Sequence, residues 1–179
     1  MDISKLYLIN QLDGFSLEFS RLVSMMNYAR ATTHQMVHDL TIEELDYRFN
    51  EEANSIGMLL AHMASVEKAY QILTFENREP NEEDIRKLNP ALDLGKHAAA
   101  IAGNPISYYL EQLQSVRDET LKTFQTLPDG WLYDETPFWR NLKANNYFKW
   151  FHVFEDEINH RGQIRLIRKM YKITQMKNV

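Results

Sequence analysis

The chain has no cysteine among its 179 residues. That excludes a disulfide framework, a cysteine-ligated zinc and a catalytic thiol supplied by the protein itself. Glycine and proline are scarce, six and five residues, so the chain has few of the residues that punctuate helices and build tight turns. No apolar run approaches the roughly 20 residues that a membrane-spanning helix needs. The opening stretch MDISKLYLINQLDG has no basic leader and no small-residue cleavage site, so a cytoplasmic protein without a membrane partner is expected. Cations are not in excess either: 20 Lys and Arg stand against 25 Asp and Glu, a formal net charge of -5. A polyanion would find no overall electrostatic footprint, and no nucleic-acid partner is expected. The late cluster of Arg161, Arg165, Arg168, Lys169 and Lys172 reads as cations that complement a helix C-terminus and cover a solvated face.

What the chain does have is apolar residues, 44% of the total, enough for one substantial core, and a single domain over residues 1–179 is expected. Their spacing is helical. Phe15, Phe19, Leu22, Met26, Ala29 and Thr33 form one stripe in a helix expected over residues 16–38. Ile56, Leu59, Met63, Val66, Tyr70 and Leu73 form a second, in a helix that starts at Asn54 or Ser55 and ends before Pro80. A third helix begins near Pro105 and carries Tyr109, Leu113, Val116 and Phe124 before stopping at LPDG. The fourth spans about residues 147–171. Between the second and third lies a polar segment, residues 81–103, in which NEEDIRKL predicts a short helix and the remainder a crossover or a lid. No useful β-type alternation and no internal repeat are present. The expected fold class is all-α, a four-helix bundle with an N-terminal extension.

In the fourth segment, FHVFEDEINHRGQIRLI, the inward stripe of Trp150, Val153, His160, Ile164, Ile167 and Tyr171 is interrupted by Asp156, Glu157 and His160, where aliphatic residues would pack. Asp156 and His160 are spaced i, i+4, which places their side chains on one face, about 5–6 Å apart at Cβ. That separation suits one metal ion, with a third ligand from a facing helix, and His62 borders the buried face of the second helix. The same spacing equally suits a hydrogen-bonded Asp–His pair and a satisfied core histidine. Among the other histidines, His34 and His38 end the first helix, where the dipole explains them. His97 falls in a polar connection, and His152 stands as a reserve ligand.

The run HVFEDEINHRGQIRLI together with NSIGMLLAHMASVEKAY about ninety residues earlier resembles the DinB-like (DinB/YfiT) superfamily of bacterial metalloenzymes. The resemblance covers most of the chain beyond the first dozen residues. It implies a four-helix bundle holding one divalent metal, commonly through three histidines. One stands in LLAH, which is His62 here, and another precedes RGQ, which is His160. The remaining one lies a turn earlier, where this sequence has Asp156. A set of two histidines and one aspartate is harder than a set of three histidines and accepts zinc, nickel, manganese or ferrous iron. Relatives of this kind include transferases that act with a low-molecular-weight thiol such as bacillithiol or mycothiol, and a homodimer is a family possibility.

The function expected from the resemblance is metal-dependent transfer of a bacillithiol-like thiol to a small electrophilic substrate. Metal-dependent hydrolysis and non-catalytic metal or ligand binding in a stress protein stand as alternatives. Glu157, three residues before His160, is the candidate for orienting it or acting as a base, against the reading of a solvated flank charge. Gln163 is placed near the metal, Gly162 at a close helix approach, and Phe138, Trp139 and Tyr147 around an apolar pocket at the bundle mouth.

Overall fold

The computed structural model describes residues 3–138 and 142–177. A short 3-10 turn, Ile3–Tyr7, precedes six α-helices: α1 (Leu17–Val37), α2 (Ile42–Asp46), α3 (Ile56–Phe75), α4 (Glu82–Leu92), α5 (Ile106–Phe124) and α6 (Asn146–Lys177). Several of the starts are capped by side chains. Ser16 accepts from the Phe19 amide, Ser55 from the Met58 amide, and Asn81 from the amides of Glu83 and Asp84, so side-chain oxygens satisfy amides that have no partner within the helix.

α1, α3, α5 and α6 form the bundle: α3 packs on α5 and α6, and α1 packs on α6 and α5. The core divides into two apolar clusters, and the order in which each helix meets them gives its direction. α1 passes from the Phe19, Leu22 and Met26 cluster to the one holding Val37, and α6 likewise runs from Trp150 and Val153 to Ile164 and Ile167. α3 and α5 run the other way, from Ile56 and Leu59 towards Phe75, and from Tyr109 and Leu113 to Phe124. α3 and α5 are therefore parallel, and the chain between them must return along the bundle. α4 lies in that crossover and packs on α3. Leu22, Leu59 and Ile164 have no exposed surface, so truncating any one of them to Ala would cost about 2–5 kcal/mol.

Several local features depart from the sequence expectations. The periodicity passes over α2, because five residues are too few to show one; a capping box holds it, with Thr41 accepting from the Glu44 amide and the Glu44 carboxylate accepting from the Thr41 amide. The stretch before α6 contains a small antiparallel hairpin, β1 (Glu135–Pro137) and β2 (Lys143–Asn145), in the register Glu135 with Asn145. α4 continues through Pro90 to Leu92, four residues beyond the expected short helix. Gly162 is exposed, and a Cβ there would meet nothing within 4 Å; it is not the point of close helix approach. That role falls to Gly57, where a Cβ would stand 2.6 Å from the Tyr109 hydroxyl. Among the described residues no helix is long and apolar enough to cross a membrane.

Candidate metal centre

His62 reaches across from α3 to Asp156 and His160 on α6, and one ligand atom from each lies within 4.8 Å of the others. His160 Nε2 is 3.3 Å from Asp156 Oδ1, and His62 Nε2 is 3.6 Å from Asp156 Oδ2. The imidazole rings stand edge to face, their centroids 4.7 Å apart. Ligand bonds of about 2.0–2.2 Å in tetrahedral array would separate neighbouring ligand atoms by about 3.4 Å, and each imidazole nitrogen stands near that distance from one of the two Asp156 oxygens. A hydrogen-bonded pair would close more tightly, yet Asp156 Oδ2 is buried with no hydrogen-bond partner. An unsatisfied buried carboxylate oxygen is costly, and a cation between the three groups would satisfy it. The donor set therefore fits a divalent metal, with His62, Asp156 and His160 as the residues that could hold it.

The surroundings prepare the ligands. His62 Nδ1 lies 2.9 Å from the Ala91 carbonyl oxygen. That contact makes Nδ1–H the donor and leaves the Nε2 lone pair facing Asp156. Burial alone would push the Asp156 carboxyl up, but His160 and His62 outweigh it and hold the carboxyl well below the usual range. Burial likewise opposes charge on His160, and the adjacent Asp156 carboxylate overcomes this and raises the imidazole above its ordinary value.

Next to this site lies a buried charged layer to which each bundle helix contributes one residue: Arg30 (α1), Glu67 (α3), Arg117 (α5) and Glu157 (α6). Arg30 donates to Glu157 at 3.1 Å and to Glu67 at 3.1 Å. Arg117 donates to Glu67 at 2.8 and 3.1 Å, and Thr120 donates to the same carboxylate at 2.8 Å. Two cations face two carboxylates, so the layer is neutral. It separates the two apolar clusters. Glu157 is thus neither a solvated flank charge nor a hydrogen-bond partner of His160: it is 1% exposed, and its carboxylate is engaged by Arg30 and, at 3.6 Å, by Arg117.

The remaining candidates fall elsewhere. His152 pairs with Glu155 at 3.0 Å and is not in the ligand cluster. His34 and His38 stack on each other on an exposed surface, and His97 is exposed; Gln163 is exposed too, but it stands beside His160 and helps to raise that imidazole. Phe138 lines a cavity with Leu73, Glu79, Pro137, Phe148 and His152. Tyr147 packs towards Tyr133 and the Phe19 cluster instead, and Trp139 lies outside the described residues. Periodicity did not pick out Arg30, Glu67 or Arg117. Each follows an inward residue, Ala29, Val66 and Val116, and sits about 100° further round its helix; two arginines and two glutamates at equivalent border positions were the only sequence signal.

No curated protein matches the chain. The family described as Mycothiol-S-transferase matches it over residues 21–172, a span that includes all four bundle helices almost entirely and all three converging side chains. The chain belongs to the mycothiol S-transferase family, within the DinB/YfiT-like metalloenzyme superfamily.

Proposed function

We propose that the protein is a divalent-metal-dependent transferase joining a low-molecular-weight thiol to a small electrophilic substrate, with His62, Asp156 and His160 as the metal ligands. The observation that carries this reading is the convergence of those three side chains around an unsatisfied buried Asp156 oxygen in a chain of this family. Zinc, nickel, manganese and ferrous iron suit two imidazoles and a carboxylate.

Three protein ligands leave coordination positions open, and a cation so placed lowers the pKa of a thiol brought to it. The chain's own residues set the conditions for that chemistry. The Ala91 carbonyl holds His62 in the tautomer that offers Nε2. The absence of cysteine means that the sulfur nucleophile comes with the small thiol, and no side-chain thiol competes for the site.

The test is reconstitution of tag-free protein with each of the four metals, followed by elemental analysis and a conjugation assay with mycothiol or bacillithiol and monochlorobimane. Near-stoichiometric metal and thiol-dependent conjugation, both lost in Asp156→Ala and His160→Ala, are expected. Retained metal with no thiol-dependent turnover would overturn the transferase reading in favour of hydrolysis or non-catalytic binding.

A further inference from the structure

Beside the metal ligands lies a cavity of about 700 Å³, walled by Leu73 and Glu79 at and after the end of α3, Pro137 and Phe138 of the hairpin, and Phe148 and His152 of α6. Its volume is that of a small-molecule site. Phe148 and His152 lie parallel, their planes 8° apart at 6.4 Å, and Phe138 meets Phe148 nearly edge-on at 6.0 Å. Together the rings offer flat faces for an aromatic body. His152 and Asp156 are one helical turn apart, about 6 Å along the axis, so the wall of the cavity ends one turn from the ligand set.

Tyr70 stands at that junction. Its ring is 6.5 Å from that of Phe138 and 6.0 Å from that of His152, and its phenol is close enough to feel the Asp156 charge. A tyrosine hydroxyl is protonated at neutral pH and can serve as a donor. No described residue takes that hydrogen bond. The charges around the cavity favour a neutral guest. Glu79 is the one carboxylate in the wall, and the Lys149 ammonium has no exposed surface and is turned to the Thr136 hydroxyl beneath Phe138. An anion would meet Glu79, and no lysine or arginine is among the described residues that line the wall.

We propose that this cavity is the subsite for the electrophilic substrate and takes a neutral aromatic or conjugated carbonyl compound, its ring packed against Phe138 and Phe148 and its carbonyl oxygen accepting from Tyr70. The assignment of the guest as a substrate rests on the transferase reading; its binding requires neither metal nor thiol.

The experiment titrates metal-free protein with the neutral aromatic ketone prodan, whose emission moves to the red when its carbonyl accepts a hydrogen bond. Wild type is expected to bind it saturably. Leu73→Trp, which fills the cavity, and Phe148→Ala, which removes a wall, are each expected to weaken binding about tenfold or more, with folding checked by circular dichroism. Tyr70→Phe is expected to bind about fivefold more weakly, the loss of one neutral hydrogen bond, with emission shifted to the blue. Tyr28→Ala, in the separate surface groove with Tyr7 and Phe154, is expected to change nothing. Absence of saturable binding, binding undiminished in both folded cavity variants, or an unshifted spectrum in Tyr70→Phe would overturn the proposal. Because the titration contains no thiol, these outcomes leave the conjugation assay untouched; prodan binding without thiol transfer would remove the transferase reading and keep the site.

Discussion

The Nδ1 atom of His62 lies 2.9 Å from the carbonyl oxygen of Ala91, so a helix that supplies none of the three converging side chains orients one of them. Ala91 is in the last turn of α4, where carbonyls have no partner within the helix. His62 satisfies one of them while aiming its other nitrogen at Asp156. The crossover segment is thereby tied to the site that it passes.

Metal should stabilise the folded chain through this site, independently of any activity. At free metal a hundred times its Kd the gain is about 2.7 kcal/mol. Calorimetry with and without zinc is expected to show a raised Tm in wild type and none in Asp156→Ala or His62→Ala. An equal rise in these variants would place the metal elsewhere.

The charged layer is expected to be unforgiving of single changes. Glu67 has no exposed surface and takes hydrogen bonds from Arg117, Arg30 and Thr120. Glu67→Gln leaves the guanidinium charges buried with one anion fewer, a loss of about 3–5 kcal/mol measurable by urea unfolding. Arg30→Met combined with Glu157→Leu should cost clearly less than the sum of the two single changes, because the pair is in direct contact. Additive effects would contradict a coupled layer.

The same layer sets the acid limit of the protein. Burial alone would raise the Glu67 carboxyl, but Arg117 and Arg30 outweigh it and hold it below its ordinary value of 4.5. A carboxyl lowered by folding contributes stability that is fully present above its unfolded value and is lost as pH falls through the folded one. Stability is therefore expected to decline progressively below about pH 4.5, and the decline should be shallower in Glu67→Gln. Identical slopes in urea titrations of the two proteins across that range would show that Glu67 carries no part of it.

Gly57→Ala should destabilise the bundle by about 1–3 kcal/mol, since the new methyl would meet the Tyr109 hydroxyl at 2.6 Å and its ring at 2.9 Å. Adding Tyr109→Phe removes the nearer contact and should restore part of the loss. Thermal melts of the single and double variants decide it. Gly162→Ala, on an exposed helix face, is expected to be neutral or slightly stabilising.

The four long helices and their inward stripes were legible because a 3.6-residue period repeated over twenty residues is a strong local signal. Phe19, Leu22, Leu59, Leu113 and Ile164 are buried as that period requires. Short elements left no period: α2 rests on one capping box, and each hairpin strand has three residues. The direction of α5 relative to α3 was open too, since residues 81–103 could be read as either a crossover or a lid.

At the site, the sequence by itself determined which side chains were available: an imidazole and a carboxylate at helical spacing, a second imidazole on another helix, and no thiol. It also determined that Asp156 and His160 share a face of one helix, because i, i+4 geometry is local. Only the tertiary structure decided that a third donor stands within reach of that pair, since this depends on where α3 carries His62 relative to α6. It likewise decided the fate of Glu157. Next to Asp156 in sequence, it is about 100° round the helix and faces Arg30 and Arg117, whose positions are fixed by the packing of two other helices.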